Sequence, residues 1–324
     1  SNLCMEITLP TKPLYSVQDE NGEVALCTLS AVNLGALDSL DELEDITEII
    51  VRSLDCLLDY QDYPLKSAEI TSNNRRTLGI GVTNLAYYLA KNDAKYSDGS
   101  GNELIHKTFE ALQFYSLKAS NKLAIEFGAC PLFSETQYAQ GILPVDSYKK
   151  DIDVFCNTKL ELDWDSLRKD IKASGLRNST LTALMPCESS SQISNSTNGI
   201  EPPRGFVSVK QSKDGILKQV VPEYEKLHKK YELLWDIKDN EGYLQLCAIM
   251  QKFVDQSIST NTHYDPSKFE GNRVPMKLFL MDLLKAYKYG IKTLYYHTTR
   301  DGASDDQSIN NPNDDDCEDG VCKL

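Results

Sequence analysis

The chain has 324 residues and a formal net charge of -14, with 41% hydrophobic and 25% charged residues, enough to bury a sizeable core as one large domain or two. The acidic balance excludes a general nucleic-acid binder, which needs a basic face. The lack of any apolar run of about 18 residues excludes a membrane-spanning helix.

Nine cysteines, an odd number scattered along the chain, suit a reducing cytoplasm better than a secreted disulfide scaffold. Ser1-Asn2-Leu3-Cys4-Met5-Glu6 opens the sequence with neither a basic segment nor an apolar run, so no signal peptide is read there. The chain starts without methionine on its densest chemistry, which leads us to expect protein upstream. An amide, a thiol and a carboxylate alternate at Asn2, Cys4 and Glu6. In an extended segment these positions share one side, so the three are expected to converge, with Leu3, Met5 and Ile7 packing opposite. A hydrogen-bonding group, a one-electron or nucleophilic sulfur and a general base make a reaction centre. A half-buried strand with a merely wet polar face gives the same alternation.

Beyond Pro10 and Pro13, Glu23 to Ser30 reads as a strand-like run with Val24, Leu26 and Cys27. Ser39-Leu40-Asp41-Glu42 is a capping box opening an amphipathic helix to about Tyr60, with Cys56 among Leu54, Leu57 and Leu58 as core. Arg75 to Val82 reads as a turn or short strand feeding a helix. Its Gly79-Ile80-Gly81 lacks the third glycine of a dinucleotide loop, Asn84 standing there instead, and reads as helix packing against backbone. Glu103 to Phe127 is a periodic helix closed by Gly128, and a shorter one runs from an Asp163 N-cap to Gly175. At Pro186-Cys187-Glu188-Ser189-Ser190-Ser191 an apolar strand ends and a helix can start. Free amides and hydroxyls there suit an anion; a plain serine-rich cap fits equally. Phe206–Val209 and Ile216–Val221 flank Lys213-Asp214-Gly215 as a hairpin. Helices follow from Gly242 to Ser257 and from Pro275 to Tyr289. Ile291 to His297 reads as a buried strand in which Tyr295 and Tyr296 are packing.

Residues 301–324 hold eight acids against one lysine, half of the excess negative charge, and no apolar periodicity. They read as a flexible acidic tail, giving two units, 1–300 and 301–324. The tail carries Cys317 and Cys322. A metal site would want further ligands nearby, whereas a tethered dithiol suits disulfide exchange.

Taken together and in order, these motifs resemble the C-terminal half of the large (alpha, catalytic) subunit of class I ribonucleotide reductase. The carriers are Ser1 to Ile7, the strand ending at Cys27, Leu184 to Asn195 with Thr197 to Pro203, Tyr295-Tyr296, and the Cys317/Cys322 pair. The resemblance implies an α/β fold, the second half of a ten-stranded barrel built from two antiparallel five-stranded halves. It implies reduction of ribonucleoside diphosphates to deoxyribonucleotides in the cytoplasm. Cys4 would become a thiyl radical that takes the 3′ hydrogen, Glu6 the general base, and Asn2 a holder of the ribose hydroxyls. Cys27 would be one of two reducing thiols. Pro186, Cys187, Glu188, Ser189 and Ser190 would cradle the diphosphate, with Cys187 replacing the family's usual serine. Tyr295 and Tyr296 would end a radical path from the beta subunit, and Cys317 and Cys322 would re-reduce the active-site disulfide at the expense of thioredoxin or glutaredoxin.

The resemblance assigns this chain no metal and no bound cofactor; the radical comes from the radical-generating beta subunit. The thiol partner of Cys27 and the allosteric nucleotide sites are expected on an N-terminal half of the large subunit. A split gene, a shortened chain or removal of an intervening protein element would each account for the start at Ser1. The competing reading is a non-catalytic half-barrel that only binds the beta subunit.

Overall fold

The structure is a computed structural model that describes residues 2–212, 215–300 and 308–309. Ser1, Lys213, Asp214 and the tail's Cys317/Cys322 pair lie outside the described residues.

In chain order the elements are β1 (Thr28–Asn33), α1 (Glu42–Tyr60), α2 (Lys66–Arg75), β2 (Leu78–Thr83), α3 (Leu85–Lys91) and α4 (Asn102–Phe127). Then come α5 (Pro144–Ser147), α6 (Trp164–Ser174), α7 (Glu188–Ile193), β3 (Val207–Ser212), β4 (Gly215–Val220) and α8 (Tyr224–Leu227). Last are α9 (Glu241–Gln251), β5 (Thr262–Tyr264), α10 (Met276–Lys288), β6 (His297–Thr299) and β7 (Ser308–Ile309).

A parallel ladder organises the chain. β1 pairs with β2 from Thr28↔Leu78 to Asn33↔Thr83. β2 continues onto residues 180–183 through Leu78 N to Thr180 O (3.1 Å) and Ala183 N to Ile80 O (3.2 Å). Leu184 then bridges Ile258 in parallel, and β5 pairs in parallel with β6. Five segments therefore run side by side in chain order, separated by helical crossovers, as a parallel sheet requires. This is the expected α/β half-barrel, and its sheet is not closed among the described residues. The hairpin of β3 and β4 forms as expected, with Ser212 opposite Gly215.

Alternation fixes the two faces of the sheet. Leu78, Ile80 and Val82 join the core with Phe109, Leu112, Leu244 and Ile249, under α1, α4 and α9. Gly79 and Gly81 face the other way, towards the side chains of Cys27 and Met185. A Cβ on Gly79 would collide with Leu29 and stand 2.8 Å from Cys27 Sγ; one on Gly81 would stand 2.7 Å from Met185 Sδ. The glycines thus admit sulfur side chains onto the inner face, not the helix packing expected. Asn84 takes the left-handed conformation (φ 69°) expected of a glycine position. Its amide ties Asn33 Oδ1 to the Thr197 N–H.

Helix ends follow the sequence signals in part. Glu42 Oε1 reaches back to Ser39 N at 3.0 Å, while Ser39 Oγ accepts from Asp41 N, so α1 begins at Glu42. Asp163 caps α6 through Ser166 N, and Gly128 (φ 86°) closes α4.

Three expectations are corrected here. Cys56 is exposed, because the buried stripe of α1 runs through Thr47, Val51, Leu54 and Leu58 and Cys56 falls off it. The α9 helix stops at Gln251 and not at Ser257, because Gln256, Ser257 and Ser259 spend their N–H groups on the ladder and the opening segment. β1 starts after Cys27 and does not end there; Leu26 O is taken instead by the Thr77 hydroxyl. Among the described residues no helix is long and apolar enough to cross a membrane.

Candidate active site

The opening segment is a turn, not the extended strand expected from its alternation. Met5 N donates to Asn2 O at 3.2 Å, and Met5 sits at φ 69°, left-handed backbone that a non-glycine residue adopts at a cost. Leu3 consequently points out, 85% exposed, and does not pack beside Ile7. The turn still converges two of the three predicted groups. Asn2 Nδ2 donates to Glu6 Oε1 at 2.8 Å, and Ile7 N donates to Asn2 Oδ1 at 3.1 Å. Glu6 is buried, so the Asn2 amide offsets part of the desolvation of its carboxylate, while Ile7 N holds that amide in place.

The fourth ladder segment anchors the turn. Ser257 N donates to Glu6 O at 3.0 Å. Ser259 Oγ lies 2.6 Å from Cys4 O and 3.0 Å from Glu6 Oε2, so its single hydroxyl proton is shared between the backbone of the thiol residue and the carboxylate. Neither serine was singled out from the sequence.

Tyr295 and Tyr296 stack with ring centroids 3.9 Å apart. The Tyr295 hydroxyl is within hydrogen-bonding reach of Tyr296 and of Cys4, and these contacts, Tyr296's foremost, hold its pKa above the ordinary phenol range. The pair is not the buried strand expected. β6 begins at His297, after both residues, and Tyr296 is 55% exposed. A continuous series of contacts therefore runs from the surface at Tyr296 through Tyr295 to Cys4.

Cys27 reaches the same region from the residue just before β1. Its thiol lies 3.6 Å from Gln256 Nε2, which also donates to Leu78 O at 2.8 Å. Burial, with the charges of Asp255 and Glu6 adding to it, pushes the Cys27 thiol up to about 12 against the Gln256 hydrogen bond. Cys187 is fully enclosed, 3.6 Å from Val82 O and from Met185 O. Burial pushes it to about 11, and Glu6 contributes. Both are thiols, not thiolates, at neutral pH. Glu6 is thus electrostatically coupled to both sulfurs.

After Pro186 a helix does start, α7 at Glu188, but no serine caps it and the Cys187 amide is not free: Cys187 N donates to Asn198 Oδ1 at 2.8 Å. Glu188, Ser189 and Ser190 are exposed, so the first turn is accessible. A cavity of about 630 Å³ is lined by Arg75, Asp255 and Lys292 among others, and none of the predicted site residues lines it.

The family described as "Ribonucleotide reductase, barrel domain" matches residues 1–297. The ribonucleoside-diphosphate reductase subunit alpha of Haemophilus influenzae is 66% identical over 324 residues, covering 100% of this chain and 42% of that protein. The ribonucleoside-diphosphate reductase 1 subunit alpha of Escherichia coli is 66% identical over 326 residues, and the subunit alpha of Enterobacteria phage T4 is 50% identical over 329. Each is matched by the whole chain over 43% of its own length, so the chain spans less than half of these relatives. The match across 1–297 places the chain in the ribonucleotide reductase barrel-domain family.

Proposed function

We propose that this chain supplies the radical-bearing part of a class I ribonucleoside-diphosphate reductase large subunit acting in the cytoplasm. The observation that carries the reading is the contact series from Tyr296 through Tyr295 to Cys4, ending where Asn2, Glu6 and Ser259 are hydrogen-bonded together. The relatives' name, ribonucleoside-diphosphate reductase, supplies the substrate class.

In this reading Tyr295, arriving as a phenoxyl radical, takes the thiol hydrogen of Cys4 and becomes a phenol, and the resulting thiyl removes the substrate's 3′ hydrogen. A sulfur suits the step because an S–H bond is close in strength to an activated ribose C–H bond. Glu6 accepts the 3′-OH proton from within hydrogen-bonding reach, and Asn2 orients the ribose. The 2′-OH leaves as water while Cys27 and a second thiol give up two electrons and become a disulfide. Cys4 then returns its hydrogen to C3′. The raised value of Cys27 fits a group that must carry a proton as well as electrons. The first turn of α7, with Pro186, Cys187, Glu188, Ser189 and Ser190, receives the diphosphate at its exposed Ser189 and Ser190, near the positive end of the helix. The 301–324 segment brings Cys317 and Cys322 to the spent disulfide and is itself reduced by thioredoxin or glutaredoxin. The second thiol and the allosteric nucleotide sites belong to the remaining length of the relatives, and the radical-generating subunit docks where Tyr296 reaches the surface.

The test is complementation. The chain is purified alone and with the portion matching the rest of the relatives' length, each with a radical-generating subunit, dithiol and nucleoside diphosphate. Turnover by the pair but not by the chain alone is expected, with a rise in melting temperature as the open sheet edges and inward apolar surface are covered. Turnover by the chain alone overturns the reading, and binding of the radical-generating subunit with no turnover by the pair would leave the non-catalytic half-barrel.

A further inference from the structure

Consecutive residues of a regular strand point to opposite faces, yet the rings of Tyr295 and Tyr296 lie against one another, 34° from parallel. The ladder explains this. Thr262 pairs with His297, and its N–H donates to Tyr296 O at 2.9 Å. Carried one step upstream, that parallel register puts the Tyr296 N–H on the Thr260 carbonyl. The Thr260 carbonyl instead accepts from Tyr295 N at 2.8 Å. One residue is extra between the two bonds. Such a bulge bends the strand and re-aims a side chain.

The displaced Tyr296 N–H has lost its ladder acceptor, and a side chain replaces it. Asn261 Oδ1 accepts that N–H at 2.8 Å. The same amide donates through Nδ2 to Glu201 Oε1, which fixes its orientation and leaves no freedom to flip. Glu201 opens the Glu201-Pro202-Pro203 run, where two prolines stiffen the backbone that carries it. The function argued above uses neither Asn261 nor Glu201.

We propose that Asn261, oriented by Glu201, is a positioning residue for radical transfer: it holds the bulge that stacks Tyr296 on Tyr295. This rests on the radical-transfer reading of the tyrosine pair. In the transfer, Tyr296 has been oxidised to a phenoxyl by the one-electron oxidant of the radical-generating partner. It takes the phenolic hydrogen of Tyr295, one proton and one electron, and becomes a phenol again. Tyr295, now the phenoxyl, takes the thiol hydrogen of Cys4. Without Asn261 the Tyr296 N–H returns to the Thr260 carbonyl, the bulge is lost and the two rings part.

The assembled enzyme is prepared with aminotyrosine, a radical trap, in place of Tyr295 or of Tyr296, and read by electron paramagnetic resonance during turnover. N261A is expected to keep the trapped radical at position 296 but to lower both the radical at 295 and nucleotide reduction about a hundredfold, the cost of a misplacement of roughly 1 Å. The double variant E201Q/N261D exchanges donor and acceptor across the pair and keeps an acceptor for the Tyr296 N–H, so it is expected to restore the radical at 295. An unchanged yield at 295 in N261A overturns the proposal. So does a loss that the double variant fails to restore, which marks a structural role alone. If neither position traps a radical with Asn261 intact, the radical-transfer reading itself fails, and that outcome is distinct from the other two.

Discussion

Ser259→Ala probes how the active turn is held. The hydroxyl serves two acceptors, Cys4 O at 2.6 Å and Glu6 Oε2 at 3.0 Å, and Glu6 is buried with Asn2 Nδ2 on its other oxygen. Removing a hydrogen bond to a charged group costs about 1.5–3 kcal/mol. At about 1.4 kcal/mol for each factor of ten, turnover should fall about tenfold to a hundredfold if the bond is needed to set the base and the thiol. The assay is steady-state nucleotide reduction by the assembled enzyme, with substrate KM and the melting temperature measured alongside. Ser259→Thr, which keeps the hydroxyl, should retain most of the activity. A fall in melting temperature with undiminished turnover would refute the idea that Ser259 positions the reacting groups.

Other outcomes are expected from the same geometry. Tyr295→Phe and Tyr296→Phe keep the ring but lose the phenolic proton; stability should change by roughly 0.5–3 kcal/mol while nucleotide reduction nearly disappears, and normal turnover would make both residues packing alone. Cys27 and Cys247 are each pushed up to about 12 from an ordinary value near 9. The native state therefore holds protons that the unfolded chain releases, so their contribution is whole below about pH 9 and is lost as pH rises towards 12. Thermal melts over that range should show the decline, and alkylation with peptide mapping should label exposed Cys56 first and Cys27 only as pH climbs. Labelling of Cys27 at neutral pH as fast as Cys56 would contradict the upward shift of its thiol. Replacing Cys317 and Cys322 with serine should abolish thioredoxin-supported turnover but spare turnover on dithiothreitol; loss with both reductants would point to a structural role.

Much of this was legible in the sequence where the cause is local. Asp163 and Gly128 mark helix ends through hydrogen bonds and backbone angles set within a few residues. Glu42 reached back as a capping glutamate should. The ordered set of motifs carried the family and the fold class, because such residues are few and chemically distinctive. What failed depended on partners far away. Asn2 and Glu6 do meet, but through a left-handed turn at Met5 that no alternation rule foresees. That turn is pinned by Ser259, 255 residues along the chain. The helix ending at Gln251 ran on to Ser257 in the sequence reading because ladder pairing overrides local helix propensity. Asn261 escaped notice because its role depends on a register slip between two strands, which no single segment records.

The most direct test of the central claim is Cys4→Ser in the assembled enzyme, read by nucleotide reduction and by equilibrium binding of the nucleoside diphosphate. An O–H bond is too strong to give up its hydrogen to the Tyr295 phenoxyl, while the hydrogen bonds that Cys4 O and Glu6 make with Ser259 are untouched. The expected result is no detectable turnover with substrate affinity nearly unchanged. Measurable turnover by the serine variant would contradict the assignment of Cys4 as the radical carrier.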